Sequence, residues 1–212
     1  MPRLSARTFF IYAYAVASGA ANTLEIQFVP VELVQQGAVI EYEEIWRQHG
    51  SSIVSAFEEA TGVALSEEVI EARVWEAISK SGRQDEPMYL RASYPEPTKK
   101  AALVHELGHR YLLELNAPNP YEDIHYPLSL LLYRVWTDIW GLDFADSQVE
   151  VEKARSKRYR RAWRWVCSLS RQERESKWKV YISGAARSFN KAVNATAKPA
   201  LRSSLAAHYR AR

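Results

Sequence analysis

AALVHELGHRYLL, residues 101–113, is an apolar stretch broken by two histidines, a glutamate and a glycine. Its apolar positions recur with a helical period, so the spacing predicts a helix here. On a helix, positions i and i+4 share one face about 5–6 Å apart. His105 and His109 therefore stand side by side, close enough for both imidazoles to reach one zinc ion at about 2.0–2.1 Å. Glu106 sits beside the first of them and can face a metal-activated water without being a ligand. Five-residue patterns with three fixed positions arise by chance, and two histidines can simply lie on a solvated helix face. The flanks argue otherwise: Ala101–Val104 and Tyr111–Leu113 are apolar, so this helix is expected to be buried. Buried imidazoles and carboxylates need partners, and a metal supplies one. Gly108 costs a helix about 1 kcal/mol relative to Ala, which predicts a close approach at that point, of a strand or of the metal's far side.

Thr23 to Val31 alternates apolar and polar residues, as a half-buried strand does. Ile40 to Thr61 reads as a helix stopped by Gly62. Ser66 ahead of Glu67 and Glu68 is a candidate capped turn. Glu71 to Ile78 and Pro87 to Tyr94 read as strands, separated by the turn-rich residues 79–86. Thr98 is the expected cap of the histidine helix, which runs to Leu115. The Pro/Asn-rich residues 116–121 form a loop. A second helix is expected from Pro127 to Trp140, with Gly141 as its C-cap, and the chain beyond Asp146 is helical apart from Pro199. Grouped rather than strictly alternating strands predict an α+β fold, with a small sheet packed on the histidine helix. The expected division is an N-terminal apolar segment over 1–22, a metal-binding domain over 23–146 and a basic helical extension over 147–212.

His105-Glu106-Leu107-Gly108-His109 resembles the HExxH signature of the zincin metallopeptidases. The resemblance spans about residues 87–141 and implies a zinc-dependent peptidase in which Glu106 is the general base. It also implies an edge strand above the helix that binds extended peptide, for which 87–94 is the candidate. Arg110 departs from the longer zincin pattern, which has an uncharged residue there. A catalytic zinc keeps three protein ligands and an open position. His125, 16 residues after His109, is the favoured third ligand, in an arrangement similar to SprT-like zincins. Asp138 is its rival, by analogy with gluzincins. One helix carrying both would set them roughly 20 Å apart, so they cannot share a metal. Glu122 and Asp123 are further candidates, as ligands or as partners for a ligand's second nitrogen. Tyr126, Tyr133 and Arg134 are candidate oxyanion stabilisers.

The single cysteine, Cys167, excludes both a disulfide framework within the chain and a Cys-rich zinc site. Residues 151–212 hold 17 Lys/Arg against 3 Asp/Glu, whereas the first 150 hold 11 against 22. The basic run KARSKRYRRAWRW over 153–165, with Trp178 beyond it, has the composition of a nucleic-acid-binding segment. It reads equally as a helix with a solvated basic face and its tryptophans turned to the core. Arg3 and Arg7 ahead of Phe9–Ala17 and the small residues 18–21 have the outline of a signal peptide. That run is aromatic-rich and Leu-poor, so a cytoplasmic chain is the expectation and secretion the alternative. No apolar run is long enough to span a bilayer. Three functions compete: a zinc peptidase acting on peptide or protein, a non-catalytic nucleic-acid- or partner-binding protein, and a zincin fold retained for one dedicated partner. The presence of Glu106, which a purely structural metal does not need, favours the first.

Overall fold

The computed structural model describes residues 24–83 and 85–184. The N-terminal apolar segment, Pro199 and the last 28 residues lie outside that range. Alternation does what it predicts in β1 (Glu25–Pro30), where Ile26 and Phe28 are buried and Glu25 and Gln27 are exposed. β2 (Val69–Trp75) repeats the pattern with Ile70, Ala72 and Val74, and β3 (Met88–Arg91) with Met88 and Leu90. The three strands form one parallel sheet in the order β1-β2-β3, with Ile26 opposite Ile70 and Val74 opposite Leu90. Helix α1 (Gln36–Thr61) links β1 to β2 and is closed by Gly62, whose φ of 74° lies in the left-handed region that glycine enters freely. The link from β2 to β3 is a loop rather than a helix. Lys80 pairs with Tyr89 through two backbone hydrogen bonds of 2.9 and 2.8 Å along the outer edge of β3.

Helix α2 (Glu96–Leu115) carries the histidines. It starts at Glu96 with Pro95 as its N-cap, three residues before the expected Thr98 cap, because Pro97 fits the first turn with its fixed φ and no N–H to satisfy. The helical turn expected at 66–68 does not form, and the Ser66 hydroxyl instead donates to Glu114 on α2 at 2.9 Å. Leu103, Val104, Leu107 and Tyr111 of α2 meet α1 and the inner face of the sheet in a continuous core. Each such fully buried side chain contributes about 1.5–3 kcal/mol.

Helix α3 (His125–Trp140) crosses α2 at Gly108. A Cβ on Gly108 would lie 2.9 Å from Leu128 and 3.2 Å from Leu132, so the close approach expected there is that of α3. α4 (Leu142–Arg155), α5 (Lys157–Ser168) and a sixth helix, α6 over 171–184, complete the α+β fold. The division expected between residues 146 and 147 falls inside α4. Trp163 of α5 stacks on Trp136 of α3 with ring centroids 5.5 Å apart, and Trp178 of α6 donates its indole N–H to the Ala60 carbonyl at 2.7 Å. Among the described residues no helix is long and apolar enough to cross a membrane.

Candidate metal centre

Three imidazoles converge where α2 meets the start of α3. His105 and His109 lie one turn apart on α2 with ring centroids 5.2 Å apart, as the i, i+4 spacing requires. His125 is the first residue of α3, its ring 5.9 Å from that of His105 and 5.3 Å from that of His109. One nitrogen from each ring lies within 4.8 Å of the others. α3 begins two residues earlier than expected because Asp123 caps it. The Asp123 carboxylate accepts from the His125 backbone N–H at 2.9 Å and lies 2.8 Å from His125 Nδ1. One carboxylate thus starts the helix and orients the imidazole, leaving His125 Nε2 for another partner. Asp123 is in turn ion-paired to Arg158 of α5. Burial works against the Asp123 charge, but Arg158 and the His125 hydrogen bonds hold its carboxyl well below the usual range.

His105 has a matching support. Glu152 of α4 places a carboxylate oxygen 3.2 Å from His105 Nδ1, near enough for an ion pair but not aligned as a hydrogen bond. Both His105 nitrogens are buried without a hydrogen-bond partner. Burial opposes charge on both members, and it is outweighed. Glu152 raises the His105 pKa, while His105 and Arg155 hold the Glu152 carboxyl down to about 2. Burial, together with the neighbouring imidazoles, pushes His109 far below its ordinary value, and burial outweighs Asp123 to lower His125. Both shifts favour the neutral ring, the form that binds metal. Glu106 is buried, makes no hydrogen bond or ion pair among the described residues, and has its pKa raised to about 7, chiefly by burial. Orphaned buried nitrogens, neutral imidazoles and carboxylate-backed rings form a donor set of the kind zinc takes.

The other candidates stand elsewhere. Asp138 is exposed at the far end of α3, 3.6 Å from Arg134, which it pairs with, beside Ser51, Ser55 and Glu59 of α1. Glu122 is exposed in the loop. The Tyr133 hydroxyl is engaged with Asp146 at 2.8 Å, and the Tyr126 ring packs on Tyr121 and Trp165. Glu152 and Tyr159 were not among the residues singled out from the sequence, yet both adjoin the cluster. Tyr159 lies 4.5 Å from the His125 ring and 5.5 Å from that of His105, centroid to centroid. Burial, with Glu152 and Glu106 nearby, pushes its hydroxyl up to about 12. A sequence signal for Tyr159 existed: Tyr159, Ala162, Trp163 and Val166 fall at i, i+3, i+4 and i+7, the inward stripe of α5.

Arg110, the departure from the zincin pattern, is fully engaged in holding the β2–β3 loop. It donates to Glu67 at 2.5 Å, the Ser81 carbonyl at 2.9 Å and the Glu86 carbonyl at 2.6 Å. The strand expected to receive peptide is closed along its outer edge. Tyr89 bonds to Lys80, the Arg91 N–H donates to the Ser79 hydroxyl at 3.1 Å, and the Arg91 carbonyl accepts from Tyr42 at 2.9 Å.

Set against protein-family models, curated proteins and solved structures, the chain matches none.

Proposed function

We propose that this chain is a zinc-dependent peptidase with His105, His109 and His125 as the metal ligands and Glu106 as general base. The reading rests on one observation, the convergence of three imidazoles with ligand atoms within 4.8 Å of one another, next to the buried carboxylate of Glu106. A bound zinc ion supplies Lewis acidity, polarising a carbonyl and acidifying water. Glu106 takes the proton as the water oxygen forms its bond to the scissile carbon and the carbonyl electron pair moves onto oxygen. Collapse breaks the C–N bond, and Glu106 delivers the proton to the departing amine. Asp123 and Glu152 hold two of the three rings in place. Because the outer edge of β3 is already paired, an extended substrate needs a different rail or a displaced 79–80 segment.

A nucleic-acid-binding protein is the second reading, and it keeps one observation in its favour. Lys157, Arg161 and Arg164 are exposed on α5 and form no ion pair among the described residues. Trp163 and Trp178 are core residues, 1% and 4% exposed, so they cannot stack on bases.

Elemental analysis of zinc per chain in wild type, His125→Ala and Asp138→Ala, with a peptide-cleavage assay of Glu106→Gln, tests the reading. The expected result is one zinc in wild type and in Asp138→Ala, loss in His125→Ala, and zinc without cleavage in Glu106→Gln. A wild type that takes up no zinc overturns it, as does cleavage that survives Glu106→Gln.

A further inference from the structure

We infer that the Tyr159 hydroxyl is a catalytic hydrogen-bond donor of this site, aimed at the negative charge that develops on the carbonyl oxygen; the inference rests on the peptidase reading above. Tyr159 lies in the middle of the basic run, but the helix separates its neighbours by direction. At 100° per residue, Tyr159, Ala162, Trp163 and Val166 face inward, and the last three are buried. Lys157, Arg161 and Arg164 fall on the opposite side and are exposed. The tyrosine therefore belongs to the metal centre and not to the cationic face.

Its placement is fixed from both ends. Ser156 caps α5 and accepts from the Tyr159 backbone N–H at 3.1 Å, so the backbone of Tyr159 is held in the first turn. The ring lies against His125 and His105, and the Arg155 guanidinium sits 5.7 Å from the ring centroid. Arg155 itself is committed to Glu152 at 2.6 Å and to the Tyr94 hydroxyl at 2.9 Å. The Tyr159 hydroxyl is different. Its ring lies beside His105, the residue next to Glu106, and the hydroxyl makes no hydrogen bond among the described residues. Other tyrosines nearby are spent, Tyr94 on Arg155 and Tyr133 on Asp146. A half-buried phenol with an unused O–H, lying against two of the three imidazoles, is placed to donate to an oxyanion. A donor that engages charge only as it develops acts on the rate and not on ground-state binding.

The test is Tyr159→Phe, which keeps the ring and its packing. Three quantities are compared with wild type in the zinc-loaded full chain: zinc per chain, kcat and KM for peptide cleavage, and affinity for acetohydroxamate, an anionic oxygen ligand of zinc, by calorimetry. The expected result is unchanged zinc, a kcat lower by about 100-fold with little change in KM, and acetohydroxamate affinity weakened about 10-fold. Unchanged kcat and unchanged acetohydroxamate affinity overturn the inference. Loss of zinc overturns it too, because Tyr159 would then be holding the ligands. A wild type that binds zinc and acetohydroxamate but cleaves no peptide overturns the peptidase reading instead, and the acetohydroxamate comparison still decides whether Tyr159 donates to an anion at the metal. A wild type that binds no zinc ends both.

Discussion

Arg110 and His105 lie five residues apart on α2, and both are buried, at 3% and 1% exposure. Their surroundings differ completely. The Arg110 guanidinium meets a carboxylate and two backbone carbonyls, all within 3 Å. His105 has both ring nitrogens without a hydrogen-bond partner and a carboxylate 3.2 Å away that is not aligned with it. Polar groups left unpaired in a core cost about 1–3 kcal/mol each. A chain that satisfies one side chain so fully, one turn further along the same helix, is not short of partners. The contrast teaches that unmet hydrogen-bonding capacity sits at His105, where a ligand can relieve it, and is absent at Arg110, whose task is to hold a loop.

The sharpest way to break that comparison is to remove Arg110. Arg110→Met leaves Glu67 without its partner and two carbonyls without donors, so urea unfolding of the metal-free protein should show a loss of about 3 kcal/mol. His109→Leu is the counterpart on the functional face. It should unfold within about 1 kcal/mol of wild type without metal while abolishing zinc uptake. If the two variants lose similar stability, the two regions are not different in kind.

Glu152 sharpens the picture at the metal centre. Its carboxylate stands behind His105 as Asp123 stands behind His125, and outer partners of this kind typically contribute 10–100-fold to metal affinity. Zinc competition titrations should therefore show Glu152→Ala weaker than wild type by that factor. Glu152→Gln should fall between them, because the amide keeps a polar oxygen beside Nδ1 but loses the carboxylate charge. Equal affinity in all three proteins would mean that α4 only packs against the site.

Some of this was legible in the sequence and some was not, for separable reasons. The His105–His109 pair follows from the helical period alone, and Gly108 announced a close approach, though a strand or the metal's far side was expected where α3 crosses. β1 and β2 followed from alternation. What sequence spacing could not supply was any contact made across the fold. Glu152 lies 47 residues from His105 and reads locally as one more surface acid of α4. Tyr159 was hidden by its charged neighbours, although its inward stripe repeats with a helical period. The third strand was expected to offer a free edge, but the 79–80 segment folds back on it, and no local pattern in residues 79–86 encodes that return. Thr98 looked like a cap because hydroxyl residues favour that place, yet Pro97 was already compatible with the first turn.

The smallest expected effect concerns the outer face of α5, and it separates the helix's two sides. Lys157, Arg161 and Arg164 make no ion pair among the described residues, and substitutions at such exposed positions usually change stability by less than about 0.5 kcal/mol. The triple alanine variant should therefore keep its unfolding midpoint, its zinc and any peptide cleavage, since these three side chains point away from Tyr159 and the histidines. What it should lose is retention on an immobilised polyanion such as heparin, because sequence-independent binding to phosphates or sulfates scales with the number of free cations. A triple variant that also loses zinc or cleavage would show that the cationic face is energetically tied to the metal centre. In that case α5 could no longer be divided into an inner side that serves the histidines and an outer side that serves only solvent or a polyanion.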